Sequence, residues 1–137
     1  MGRFSVDIDL SNHEDVVLAR AGKIAPDQVR RVRIRGVVDS GAARLVVPED
    51  VIRRLGVPRI GNTGVRYADG RVAEREMVSD IELSYAGRSG TFSAIVEPAR
   101  DSALIGAIVL EDLDLIVDCT RQRLEPRDPK RIISEIE

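Results

Sequence analysis

The residues best suited to chemistry in this sequence are Asp39, Ser40 and Gly41, which follow the apolar pair Val37-Val38. Valine favours the core of a strand, whereas an aspartate is almost never buried without a partner. A carboxylate carried by such a strand can take a proton from water or return one. The same residues are also typical of a turn that ends a strand, because Asp and Ser bond the local backbone and Gly accepts a positive φ. Sequence features farther along the chain are needed to distinguish these two interpretations.

A second group near the N-terminus has the side-chain types of a metal site: Asp7, Asp9, His13, Glu14 and Asp15. Asp7 and Asp9 share one face of a strand predicted over residues 4–10, whereas His13 and Glu14 fall in the following turn. A solvated strand edge explains the group equally well, so we expect neither a metal nor a cofactor. We do not expect His13 to act as a base, since no Ser or Cys lies in a recognisable nucleophile setting.

Composition narrows the possible classes of function. The chain has 137 residues, 43% apolar and 32% charged, with a net charge of −2, so we expect no strong attraction to nucleic acid or to an anionic membrane. Cys119 is the single cysteine and cannot form an internal disulfide. Neither a secretory signal nor a membrane-spanning run is evident, and a cytoplasmic location is the expectation.

The residues around Asp39 must be positioned by short strands. We predict strands over 4–10, 16–19, 28–38, 45–47, 77–84, 90–96, 103–106, 115–119 and 122–124, and helices over 48–56 and 107–113. Residues 58–64 are predicted to form a loop. These elements indicate one mainly-β, barrel-like domain over residues 1–137 with two short helices, N-terminal strands within 1–25 and a tail over 126–137.

Two further features leave alternatives open. Arg31, Arg33 and Arg35 share one strand face and can contact nucleic acid, but a solvated face fits the acidic total better. Asp69-Gly70 lies between two strand-like arms over residues 65–72 and is a strong hairpin signal. This hairpin can be an inert excursion or a movable lid.

Five pieces of the chain occur in a recognisable order: Val38 to Ala42, the strand and helix from Leu45 to Gly56, Tyr67-Ala68-Asp69-Gly70, Leu104-Ile105-Gly106, and the strands from Leu115 to Leu124. In this order and spacing they resemble the retropepsin-like aspartic proteases, and most closely the small bacterial single-domain members. The resemblance runs from about Arg31 to Leu124. It implies a closed barrel-like fold with one lobe per chain.

The resemblance also implies a homodimeric endopeptidase that acts on a peptide or protein substrate. Asp39 is then the catalytic residue, and two copies, one from each subunit, meet at a two-fold axis. Two carboxyls in contact share a proton, so one can activate water while the other donates to the substrate. The alternative is a binding or assembly module that has the same dimeric form but little or no catalysis.

Roles for the neighbouring residues follow from the same resemblance. Ser40, Gly41 and Ala42 form the active-site loop, in which Ser40 bonds across the axis and Gly41 permits close approach. The flap that closes over the peptide comprises Tyr67, Ala68, Asp69 and Gly70. Leu104, Ile105 and Gly106 pack behind the loop, with Leu104 lining a substrate pocket, although a plain core strand is an equal explanation.

The sequence departs from the retroviral pattern at two positions. Ala43 and Ala107 stand where those enzymes usually carry an acidic residue and an arginine. We therefore expect other contacts to hold the dimer together.

Overall fold

Nine β-strands and three short α-helices occur in the computed structural model, which describes residues 3–137. The strands are β1 (Phe4–Asn12), β2 (Arg31–Val38), β3 (Leu45–Pro48), β4 (Arg59–Arg66), β5 (Val72–Tyr85), β6 (Arg88–Glu97), β7 (Ala103–Ile105), β8 (Leu115–Asp118) and β9 (Arg123–Pro126). The α-helices of this described part are α1 (His13–Arg20), α2 (Glu49–Leu55) and α3 (Ala107–Asp112). No helix within residues 3–137 has the length and apolar character needed to cross a membrane.

Six of the strands close into a barrel because β1 pairs along two neighbours. Residues 4–11 of β1 run antiparallel to β2, while residues 9–12 also pair with 81–84 of β5. The order β1-β2-β7-β3-β6-β5 therefore returns to β1, and β4 extends outward from β5 as a seventh strand. The predicted mainly-β, closed barrel-like fold is confirmed.

The barrel interior is filled by alternate residues of its strands. In β3, Leu45 and Val47 are buried in the core, whereas Val46 between them is half-buried on the other face. Successive residues of a strand point to opposite faces, so one short apolar run supplies both the core and an outer surface. Helix α2 closes one side, and its stop at Gly56 is as predicted, with a left-handed φ of 66°.

The N-terminal region differs from the prediction. The strand expected over residues 16–19 is wrong, because this stretch belongs to helix α1, and the described helices therefore number three rather than two. Asn12 caps α1 by accepting a hydrogen bond from the Asp15 amide at 3.0 Å. Asp15 in turn accepts two hydrogen bonds from the Arg30 side chain, at 2.8 and 3.0 Å, so tertiary contacts fix this short helix. Residues 1 and 2 of the predicted domain lie outside the described residues.

The loop predicted over residues 58–64 is also wrong, since Arg59–Arg66 forms strand β4. Nearly all of β4 is exposed, so it has no apolar periodicity that a sequence pattern can detect. Its partner is the long strand β5, and together they make the hairpin predicted at Asp69-Gly70, with Arg66 paired to Val72.

Candidate active site

Asp39 lies immediately after β2, and the neighbouring strand β7 fixes its backbone. Val37 and Val38 run parallel to Leu104 and Ile105. The amide of Asp39 continues this pairing by donating a hydrogen bond to the carbonyl oxygen of Ile105 at 3.0 Å. The strand therefore delivers the carboxylate to a defined position at the barrel end.

Beyond Asp39 the chain turns sharply. The Gly41 amide donates to Oδ1 of Asp39 at 3.0 Å, and the Ala42 amide donates to the Asp39 carbonyl oxygen at 3.1 Å. The Asp39 side chain is 19% exposed, and its Oδ2 lies 3.4 Å from the Arg3 guanidinium. Ser40 is exposed at the turn. The turn interpretation and the site interpretation of this stretch are thus compatible, because the turn orients the carboxylate.

The start of α3 holds the rest of the Asp39 loop (residues 39–44). The Ala107 amide donates to the Ala42 carbonyl oxygen at 2.8 Å, and the Ile108 amide donates to the Ala43 carbonyl oxygen at 2.9 Å. A Cβ on Gly106 would lie 2.6 Å from the Arg44 carbonyl oxygen, so only glycine fits there without displacing backbone. Ala43 and Ala107 are the positions at which retroviral enzymes usually carry charges. Here both take part in these contacts through main-chain atoms, since Ala43 accepts one hydrogen bond and Ala107 donates the other.

A cleft of about 610 Å³ separates the Asp39 loop from the hairpin. Its floor is apolar and is formed by Leu104, Val46 and Ile95. Val46 pairs directly with Leu104 on one side and with Ile95 on the other, so the three half-buried side chains share one sheet face. Ile105, by contrast, is buried in the core. Leu104 therefore lies on the cleft floor and Ile105 in the core, and a substrate-pocket role for Leu104 stays a prediction.

Tyr67 connects the hairpin tip (residues 67–71) to the body of the barrel. Its hydroxyl donates to Oε2 of Glu97 at 2.6 Å, and Arg75 donates to Oε1 of the same carboxylate at 2.9 Å. Glu97 is buried at the end of β6. The hydrogen bond to Glu97, together with burial, raises the pKa of Tyr67. We call these three residues the Tyr67–Glu97–Arg75 latch.

The remaining tip residues make their polar contacts within the tip. Ala68, Asp69 and Gly70 are exposed. The backbone amide and the guanidinium of Arg71 both donate to the Asp69 carboxylate, and these hydrogen bonds lower its pKa. The Arg71 guanidinium also lies over the Tyr67 ring, 4.5 Å from its centre. The tip is thus ordered by its own polar contacts.

The acidic N-terminal residues do not converge on one point. His13 contacts Glu82, Asp15 contacts Arg30, and Asp9 contacts Arg33. Over residues 3–137, no group of three or more His, Cys, Asp or Glu side chains is placed to hold a metal ion. Asp9 and Asp15 instead pair with arginines on different parts of the fold.

Sequence reasoning missed the residues that complete the cleft. Glu97 and Arg75 lie 22 positions apart, near the open end of the long β5–β6 hairpin, so their contact depends on the register of these two strands. The floor residues Val46 and Ile95 were predicted only as strand positions. One signal in the sequence could have found these floor residues. When alternate residues of a strand pack in the core, the residues between them must lie on the opposite face of the sheet.

Comparison with known proteins rests on structure, because no family model and no curated protein sequence matches this chain. Among solved structures, EIAV protease complexed with the inhibitor HBY-793 superposes with a TM-score of 0.59 at 16% identity, over 81% of this chain and 88% of that chain. The chain has a retropepsin-like fold. The finer resemblance to small bacterial members of the family stays a prediction.

Proposed function

We propose that the protein is a homodimeric aspartic endopeptidase in which two copies of Asp39, one per subunit, activate the water that hydrolyses a peptide bond. The observation that carries this proposal is the position of Asp39, which lies at a strand end, in a loop held by hydrogen bonds from two other elements, beside a cleft. The shared fold with a retroviral protease supports it.

The chain contains a single Asp-Ser/Thr-Gly sequence, at residues 39–41, so a second carboxylate of the same kind has to come from another copy. Two carboxyls facing each other cannot both ionise easily, and they hold one proton between them. The ionised carboxyl takes a proton from water as the water attacks the peptide carbonyl carbon. The protonated carboxyl donates to the carbonyl oxygen, and the pair later returns a proton to the leaving amine.

The surrounding residues then have distinct tasks. The Gly41 amide orients one oxygen of Asp39, and Ser40, exposed in the single chain, is free to bond the loop of the partner subunit. The hairpin carrying Tyr67, Ala68, Asp69 and Gly70 serves as a flap that excludes water from the bound peptide. Leu104 and its neighbours on the floor take an apolar side chain of the substrate.

One contact favours the alternative function, a dimeric binding module without catalysis. The Arg3 guanidinium lies 3.4 Å from Oδ2 of Asp39 and compensates the charge of this carboxylate. If this ion pair persisted in the dimer, the two carboxyls would not share a proton. Because the Arg3 side chain is 67% exposed, we expect it to be displaced on dimerisation.

A peptide-library digest by the purified protein tests the proposal. Asp39→Asn should lower the rate by at least about 10²–10⁴-fold, the usual contribution of general acid–base catalysis. Asp27→Asn, at an exposed position that does not line the cleft, is the matched control and should keep full activity. A pepstatin-type inhibitor should block cleavage, and a chelator should not.

Two further measurements complete this test. Sedimentation velocity should show a dimer at the concentrations at which cleavage occurs. The rate should fall at alkaline pH, once the pair has lost its shared proton. A rate that stays flat from acid to strongly alkaline pH, or cleavage by a strict monomer, would contradict the mechanism. A dimer whose Asp39→Asn form binds peptides normally, when the unmodified protein cleaves none, would support the binding module.

A further inference from the structure

The cleft is strongly cationic, although the chain as a whole carries a net charge of −2. The arginines that line it come from five different parts of the fold: Arg44, Arg66, Arg71, Arg75 and Arg100. The one acidic residue among the lining residues is Glu97. Positive charge is therefore concentrated in the place where a ligand would lie.

Carboxylates of the protein neutralise only some of these arginines. Arg75 is paired with Glu97 and Arg71 with Asp69. Arg100 donates to neutral oxygens of Ser102 and Ala103, so its position is fixed while its charge stays uncompensated. Arg44 and Arg66 have no carboxylate within 4.0 Å among residues 3–137.

Three of the five arginines thus present charge that nothing in the described chain neutralises. They surround an apolar floor of Val46, Ile95 and Leu104, which suits aliphatic side chains. A ligand that matches both features has an apolar centre with negative charges on either side. Guanidinium groups bind carboxylates well because their planar donors can contact both oxygens.

The following inference rests on the proposed function. We propose that the cleft selects acidic peptide segments in which an apolar residue lies on the floor and Asp or Glu residues flank it. The carboxylates occupy positions removed from the scissile bond, because Asp39 and its partner repel negative charge at the reaction centre. In a two-fold dimer the same arginines recur on both sides, so acidic residues are favoured on both flanks.

The observations favour an acidic peptide over nucleic acid as the polyanion. Sequence-tolerant binding of single strands relies on aromatic side chains on which bases stack. Tyr67 is the aromatic residue in the cleft, and Arg71 lies over one face of its ring. The net negative charge of the protein also opposes the binding of a long polyanion, whereas a short peptide contacts only the cleft and avoids this repulsion.

Matched peptides test this inference. A peptide with an apolar centre and two flanking glutamates should have a kcat/KM several-fold higher than its glutamine counterpart, at about two- to fivefold per carboxylate. A lysine counterpart should be poorer still. The preference should shrink as the salt concentration rises toward 1 M, since screening weakens exposed charge pairs. Equal rates for the three peptides, or faster cleavage of the lysine peptide, would overturn the inference.

Variants assign the preference to particular side chains. Arg44→Gln combined with Arg66→Gln should bring the glutamate-to-glutamine ratio close to one. Arg20→Gln combined with Arg54→Gln, on the exposed last turns of α1 and α2, removes the same two charges away from the cleft and should leave the ratio unchanged. A ratio that falls equally in both variants would mean that net charge alone sets the preference, and would overturn the inference.

Binding measurements separate a failure of this inference from a failure of the proposed function. Fluorescence anisotropy with the Asp39→Asn protein and labelled peptides reports the charge preference without cleavage. Preferential binding of the glutamate peptide, when the unmodified protein cleaves nothing, would support the inference and count against the protease. A single-stranded oligonucleotide that bound more tightly than the glutamate peptide, in a manner dependent on Arg44 and Arg66, would overturn it in favour of nucleic acid.

Discussion

The wall of the cleft that carries Asp39 and the wall formed by the hairpin are held in different ways. Main-chain hydrogen bonds from β7 and from the start of α3 fix the Asp39 loop, with Gly106 packed against its backbone. The hairpin contacts the barrel through the Tyr67–Glu97–Arg75 latch, whose bonds join side chains. Main-chain support cannot be released without opening the sheet, whereas a side-chain latch can open by rotation. The comparison predicts a rigid wall opposite a movable one.

The largest expected effect comes from the rigid wall. Gly106→Ala places a Cβ against the backbone of residues 43 and 44, and such overpacking should lower the free energy of unfolding by about 1–3 kcal/mol or more. Chemical denaturation measures this. Gly64→Ala is the matched control, because its Cβ meets nothing within 4 Å, and it should stay within about 0.5 kcal/mol. Equal stabilities for the two variants would show that the support is not rigid.

The next effect comes from the movable wall. Tyr67→Phe removes the hydrogen bond to buried Glu97, and should destabilise the closed hairpin by about 1–3 kcal/mol. Hydrogen exchange should become faster at residues 66–72 and stay unchanged at residues 39–44. Tyr85→Phe removes a comparable bond, to the Leu124 carbonyl oxygen, and should not affect the hairpin. Faster exchange in both walls would contradict an independent latch.

A smaller effect concerns pH. The pKa of Tyr67 is raised from its usual 10.0 in the folded protein, so its contribution is fully present below pH 10 and is lost as pH rises through the raised value. In Tyr85→Phe, Tyr67 is the sole tyrosine, and ultraviolet absorbance should show it ionising above pH 10. Adding Glu97→Gln should move the midpoint back toward 10. A midpoint already at or below 10 would rule out the raised pKa.

The smallest effect is expected at the exposed tip. Asp69→Asn removes a carboxylate whose pKa Arg71 lowers below the usual 3.8, so any contribution is present above that value and is lost as pH falls through the lowered one. Its pair with Arg71 is exposed, and hydrogen exchange at neutral pH should not change measurably. An increase as large as that of Tyr67→Phe would show that the tip, rather than Glu97, holds the hairpin.

Local patterns were enough to predict much of the barrel. Helix α2 has acidic residues at its start, arginines at its end and a terminal glycine, and the hairpin has Asp69-Gly70 at its turn. Helix α1 was missed, although Asn12 and Arg20 are suitable end residues, because eight residues give little periodicity and distant Arg30 fixes it. Strand β4 was missed because strand pairing, rather than burial, maintains it.

The candidate site likewise contains one residue that the sequence could reveal and others that only the structure shows. Asp39 could be singled out as a candidate because its chemistry conflicts with the apolar strand before it, as is common at functional sites, and the order of the downstream motifs then favoured a site over a simple turn. Glu97, Arg44 and Arg100 carry no such conflict in the sequence, where they read as ordinary surface charges. Only the folded chain shows that the cleft gathers them around one apolar floor.

Strand β4 has a consequence for the behaviour of the protein at high concentration. It is the outermost strand of the seven-stranded sheet and pairs with β5 alone, so its free side offers amides and carbonyls on which another molecule can grow a continuous sheet. The bulge between Arg59 and Gly61 interrupts this template at one end, and the charge of Arg66 at the other end opposes pairing with an identical strand. These two features protect the free edge against self-aggregation.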